Sequence, residues 1–225
     1  MQERVKLTKR QIKEDKFTAF MLSSKHHIEE NWQYLAIGVV IVILAVTGIV
    51  YYMNAATESG ELASAQLSQA NLQYRQGNSQ VAILTLTDIL NKYSGTNAAE
   101  QATFMLGKVN LETRNYEEAK LYFSQYLQNY QKNPLNRSAA TSGLAVALEN
   151  QGNFAEAAET FEKGATEFAG SALDAELNLG AMRNFLMVGQ TEKAREHYDF
   201  LVENYGDTEM AQRAARLFYE KSGSS

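Results

Sequence analysis

With 225 residues and ordinary fractions of charged (21 %) and hydrophobic (45 %) side chains, the chain has room for one folded domain and an additional segment. It has no cysteine, which excludes a disulfide framework and any thiolate metal site and leaves the redox compartment open. The net charge of −5 is unevenly spread: residues 1–33 hold seven Lys/Arg and five Asp/Glu, and the remainder, with 14 basic and 21 acidic side chains, is a poor match to nucleic acid.

Strand-like alternation is absent, and Pro134 is the one proline, so an all-α chain is expected with turns built from Gly, Asn and Ser. The basic segment 1–33 comes first. Phe17, Phe20, Met21, Ser24 and Ile28 recur at helical spacing there, which predicts a helix that lies on an anionic membrane surface, meets a partner, or simply leads into the apolar stretch after it. His26 and His27 are adjacent in sequence and diverge on a helix, which argues against a shared metal.

Residues 31–57 carry no charge, and residues 35–53 are almost unbroken Ile, Val, Leu, Ala and Gly. At about 1.5 Å per residue this stretch reaches roughly 28 Å, close to the hydrocarbon thickness of a bilayer. Trp32 and Tyr34 mark one end and Tyr51 and Tyr52 the other, as amphipathic rings do at headgroup level. A buried core helix seldom runs so long without a charge, and a cleaved signal peptide has a shorter apolar region and a small-residue cleavage site. An uncleaved transmembrane helix over 34–53 is therefore expected. Arg4, Lys6, Lys9, Arg10, Lys13, Lys16 and Lys25 precede it, whereas Arg75 is the one basic residue close behind it. That bias predicts a cytoplasmic N-terminus and, in a bacterial inner membrane, a periplasmic remainder.

After a short linker over 54–61, internal periodicity organises residues 62–225. Ala82, Ala119, Ala157 and Ala194 recur at intervals of 37, 38 and 37, each followed four residues on by Leu86, Phe123, Phe161 and Tyr198. Tyr93, Tyr130, Phe168 and Tyr205 keep the same intervals, as do Gly77, Arg114, Gly152 and Gly189 five residues before each Ala. Each unit reads as helix, tight turn, helix, turn. Gly supplies the left-handed stop, and in the second unit Arg114-Asn115 replaces it, with Asn able to take that conformation less readily. The turns at 93–96, 168–171 and 205–208 each offer a Ser or Thr to cap the next helix, while Lys132-Asn133-Pro134 breaks the helix differently. Leu179-Gly180 lies two residues early for its unit, which predicts a displaced or longer first helix there.

These columns resemble tetratricopeptide repeats, most clearly in Leu106-Gly107, Asn115-Tyr116, Ala119 and Phe123. The resemblance implies an α-solenoid of about four helical hairpins. Residues 209–221, with Met210, Ala211, Ala214, Ala215, Leu217 and Phe218 on one side, are expected to cap its end.

No arrangement of nucleophile, base and partner is recognisable, and no phosphate loop, zinc pattern or calcium loop appears, so neither an enzyme nor a cofactor is expected. His197 reads as an exposed or core-edge histidine, and Glu117-Glu118 as a solvated face. The resemblance instead implies a protein-binding groove lined by first-helix positions. In this register those are Leu67, Asn71, Tyr74, Arg75, Phe104, Lys108, Leu111, Glu112, Ser142, Val146, Glu149, Asn150, Leu179, Arg183, Leu186 and Met187. Tyr74, Phe104 and Met187 are the expected anchors, Lys108, Glu112 and Arg183 the charge register, and Asn71, Arg75, Ser142 and Asn150 further contacts.

The order of basic tail, span and repeat domain, with the Lys-Glu-Asp-Lys-Phe stretch at 13–17, resembles the YfgM-type ancillary subunits of the Sec translocon. That resemblance implies translocon subunits, periplasmic chaperones or nascent chains as partners, and no small-molecule substrate. The aromatic-x-Gly-Ser/Thr turns also resemble envelope-assembly proteins, but those are lipidated or soluble, whereas this chain has no lipobox cysteine and its span reads as uncleaved.

Overall fold

The computed structural model describes the backbone of residues 9–222 and the side chains of 32–34 and 36–221. The side chains of the N-terminal tail, including the expected helical face of Phe17 to Ile28, lie outside the described residues. Among those described there are nine helices and no strand: α1 Lys9–Arg75, α2 Ser79–Lys92, α3 Asn97–Glu112, α4 Tyr116–Asn129, α5 Pro134–Asn150, α6 Phe154–Glu167, α7 Asp174–Met187, α8 Thr191–Tyr205 and α9 Glu209–Ser222.

The chain divides into two compact units, 1–57 and 58–225. In the first, the side chains of 36–57 are exposed without exception, and the most apolar window has a mean hydropathy of 2.6. Here is a helix long and apolar enough to cross a membrane. Residues 54–61 are helical, part of α1.

In the second unit, the end of α1 shares a core cluster with α2, and α3 pairs with α4, α5 with α6 and α7 with α8, giving four hairpins, and α9 closes the series. Ala82, Ala119, Ala157 and Ala194 are all fully buried, and the lack of a larger side chain lets the helices of each hairpin approach closely. The next column packs too: Leu86, Phe123 and Phe161 are buried, and Tyr198 is half-buried against Phe218. A further column, Ala70, Gly107, Ala145 and Met182, keeps the 37, 38, 37 intervals and is buried throughout. The core is thus a row of clusters, each shared by neighbouring hairpins. The backbones of consecutive first helices α3, α5, α7 and α9 also approach one another, whereas α6 and α8 reach each other through long side chains, Lys193 Nζ lying 3.2 Å from Glu162 Oε2. The stack therefore closes more tightly on its first-helix side.

Two turn expectations are corrected. In the second unit the left-handed residue is Arg114 itself, at φ 64°, in line with Gly77, Gly152 and Gly189 at 82°, 80° and 75°; Asn115 follows at φ −83° as the N-cap of α4. Thr96 and Thr208 cap their helices, accepting from Ala99 N (3.2 Å) and Ala211 N (3.3 Å). Ser171 does not, because α7 begins only at Asp174, whose carboxylate reaches back to accept from Gly170 N at 2.8 Å. The proline turn does break the helix, with Asn133 accepting from Asn136 N and Pro134 opening α5.

Nor is the first helix of the fourth unit displaced or lengthened: α7 has 14 residues. Gly180 stands where Gly143 stands in the third unit, each 14 residues before its column alanine. A Cβ at Gly180 would come within 2.6 Å of the Phe161 ring, and one at Gly143 within 2.4 Å of Phe123, both from the preceding unit. The glycines admit the previous hairpin's aromatic ring.

Arg114 is exposed, so its side chain contributes no packing to offset the strain of a left-handed backbone. Arg114→Gly is expected to stabilise the repeat domain by about 0.5–1 kcal/mol, the left-handed penalty less the entropy of the added glycine. Thermal melts of the two chains check this, and an unchanged or lower melting temperature counts against it.

Candidate functional site

The first helices carry the groove positions, and their side chains join across neighbouring units. Tyr74 Oη on α1 donates to Glu112 Oε2 on α3. Lys108 lies 5.3 Å from the centre of the Tyr74 ring and 4.0 Å from Glu112. Burial, then the bond to Glu112 and its charge, raise the Tyr74 phenol from 10.0 to about 12, so the hydroxyl remains a donor at any physiological pH.

Between the third and fourth units Arg183 forks onto Glu149: Nε donates to Oε1 at 2.6 Å, and Nη2 to Oε2. The planar guanidinium matches the carboxylate in two parallel bonds, which fixes the rotation of α7 against α5. Ser142 Oγ donates to Glu176 Oε1 at 3.2 Å across the same pair of helices.

The expected contact residues thus fall into three groups. Tyr74, Lys108, Glu112, Ser142 and Arg183 are brought together as inter-unit links. Asn71 and Asn150 turn back and donate to Leu67 O (3.1 Å) and Val146 O (2.8 Å) of their own helices, which engages one amide donor of each. Phe104 is half-buried, edge-on to Phe123 and Tyr126 with centroids at 6.0 and 5.5 Å, while Arg75 and Met187 are exposed.

Beside Phe104 opens a cleft of about 700 Å³ between α3 and the α4–α5 turn. Phe104 and Met105 give it apolar surface, and Asn97, Gln101, Asn133 and Asn136 supply amides. Tyr126 Oη donates to Glu100 Oε1 at 3.0 Å beside it. Such a surface takes an apolar side chain while amides bond the backbone that carries it. Sequence reasoning missed this cleft. Its signal was the one inter-unit turn that departed from the pattern, at Asn133-Pro134.

A second polar cluster joins α6, α7 and α8. Buried Asp174 accepts from Gly170 N and, at 3.3 Å, from Tyr205 Oη, while Asn178 Nδ2 donates to Asp174 Oδ1 at 2.9 Å. Asn178 Oδ1 then faces His197 Nδ1 at 2.8 Å, which assigns the proton to Nδ1; Nε2 lies 3.9 Å from Glu162. Burial lowers the His197 imidazole below its ordinary 6.5, against the pull of Glu162 and Glu196 and with the push of Lys193. The folded chain then binds that proton less tightly than the unfolded chain does. The cluster's contribution to stability is full above about pH 6.5 and is lost as pH falls through the folded value. Melting temperatures measured between about pH 7.5 and 5 are expected to fall more steeply for the natural chain than for His197→Gln; equal slopes count against this.

Among the described residues, no group of three or more His, Asp or Glu could hold a metal ion. The molecule is a helical-hairpin solenoid whose surface chemistry is that of contact. The chain belongs to the tetratricopeptide repeat-like domain family, whose model matches residues 25–217. No curated protein sequence matches it.

Among solved structures, the chain is similar to a tetratricopeptide repeat protein from Parabacteroides merdae (13 % identity, TM-score 0.64), covering 73 % of this chain and 62 % of that one. The chain thus spans under two thirds of that protein. It is also similar to nearly identical TPR-like repeats of a Podosopora anserina kinesin light chain (18 % identity, TM-score 0.60, 74 % and 88 % covered). YrrB, described as a TPR protein with an unusual peptide-binding site, matches at 16 % identity and TM-score 0.52, with 69 % and 84 % covered. At these identities the likeness is one of fold. The family's usual work is protein–protein interaction, typically without catalysis.

Proposed function

We propose that the chain is a membrane-anchored scaffold that holds a partner polypeptide on its first-helix face. The observation that carries the anchoring is the unburied run of 36–57: apolar, uncharged, and covered by nothing in the fold. Water would oppose such a surface, and a bilayer would receive it. The basic residues ahead of it favour a cytoplasmic N-terminus and a periplasmic repeat domain in a bacterial inner membrane.

The partner's place is the surface from Met187 to the Phe104 cleft. Because Tyr74, Lys108, Glu112, Glu149 and Arg183 are already paired, recognition there falls to apolar contact at Phe104, Met105 and Met187 and to the Asn97 and Gln101 amides and the Lys132 ammonium along the cleft. That chemistry suits an extended, apolar-rich segment such as a secreted chain in transit or a chaperone's arm. The resemblance to YfgM-type subunits makes the Sec translocon the membrane neighbour in this reading.

Photoreactive side chains at Gln101, Met105 and Met187 of the full-length chain, in cells, test it. Adducts with translocon subunits, periplasmic chaperones or nascent secreted chains are expected. Adducts confined to cell-wall or outer-membrane assembly factors would replace the translocon reading with an envelope-assembly one.

A further inference from the structure

The two ends of the repeat stack are finished differently. At the C-terminal end α9 lies against α7 and α8, buries Ala211, Ala214 and Phe218, and leaves Gln212, Arg213 and Arg216 exposed. It is in effect a lone first helix: its buried residues follow Asp174, Leu177 and Ala181 by 37 positions. A polar outer side is what a terminal unit needs to stop a solenoid from growing.

At the other end the equivalent stripe is Leu62, Ala65, Gln69 and Leu72 on α1, and it is open. Leu72 is 53 % exposed, while its counterparts Val109, Ala147 and Asn184 in the next three units are fully buried. Ala65 is exposed, and Ala102, Ala140 and Leu177 are fully buried. Leu62 is 51 % exposed, against buried Ala99 and Asp174. The first unit thus presents a stacking face that every later unit covers.

We propose that a second copy of this chain covers it, with the α1 stripes of two molecules packed against each other about a two-fold axis. Three observations select this occupant. The stripe is spaced 3, 4, 3, the seam by which a helix packs against its own kind, with apolar Leu62, Ala65 and Leu72. Residues 62–74 carry no charge, so the face meets itself without repulsion, and Gln69 can both donate to and accept from its equivalent in the second copy. The polar outer side of α9 offers no matching surface, so head-to-tail growth is disfavoured and an isologous pair remains. The seam covers about three helical turns. That is small beside a permanent interface, so the dimer is reversible.

The absence of cysteine makes the test clean. Gln69→Cys is introduced into the full-length chain and treated in cells with a short bismaleimide, with Arg213→Cys on α9 as the comparison. A homodimer band is expected for Gln69→Cys, at least about tenfold above Arg213→Cys, and it is expected to vanish when Leu72→Glu is added. Leu72 is exposed, so that second change leaves the fold intact, as a melt of the same chain verifies. Equal bands at the two positions, a band indifferent to Leu72→Glu, or Gln69→Cys linking to a different protein would each overturn the proposal.

Discussion

Replacing Gly143 with valine is expected to destabilise the repeat domain by about 3 kcal/mol, at the upper end of what overpacking a core costs. The Phe123 ring lies between two helices at points where each has a glycine: a Cβ at Gly107 on α3 would stand 2.7 Å from ring carbons, and one at Gly143 on α5 2.4 Å. Phe123 is 2 % exposed, so a ring pushed off α5 has no free volume to enter. A helix-interior glycine forgoes about 0.5–1 kcal/mol relative to alanine, and the sequence accepts that at both positions. The conflict is local and should be relieved locally. Phe123→Leu alone is expected to cost about 1–2 kcal/mol, yet in the Gly143→Val background it should restore at least about 1 kcal/mol. Denaturant midpoints of the four chains check this; simple additivity would show that the ring and the glycine are not in conflict.

The same contact explains what can and cannot be read from the sequence. Columns kept at 37, 38 and 37 residues reveal the hairpins, because packing in a solenoid repeats whatever the neighbouring residues are. Set against the second unit's Gly107, which receives its own hairpin's ring, Gly180 lies two residues early. Compared with Gly143, its 14-residue offset to the alanine points to a different partner, the ring of the hairpin before. Intrinsic preference favours Asn115 over Arg114 for the left-handed position, yet the turn's position in the unit, not the residue, dictates which φ is positive.

The groove is less legible. Membership of the face follows from period, but whether a polar side chain on it is free depends on what lies one unit away. Tyr74 and Glu112 are 38 apart, Glu149 and Arg183 34, and Ser142 and Glu176 34. Complementary residues about one period apart on first helices are the available signal, and they mark the groove's polar residues as stitches between units. The Phe104 cleft depends on the path of the proline turn, which periodicity does not encode.

Two aspartates in the apolar run, Val42→Asp with Ala45→Asp, are expected to move the full-length chain from the carbonate-washed membrane fraction to the soluble one. A charge at the centre of a spanning helix costs about 2.5–3.5 kcal/mol on the insertion scale, so the pair costs about 6 kcal/mol. An apolar stretch of this length gains only a few tenths of a kcal/mol per residue on that scale, so a penalty of that size removes most of the margin. Both side chains are exposed, as are all of those from 36 to 57. The melting temperature of the repeat domain should therefore stay within about 1 °C of the natural chain's, because changes remote from packed residues leave stability nearly untouched. The combination is what discriminates. A core helix of a soluble protein would lose stability on taking two charges, and a membrane span loses its membrane and keeps its domain. A chain that stays in the washed membrane, or one whose repeat domain unfolds with the change, would refute the anchor.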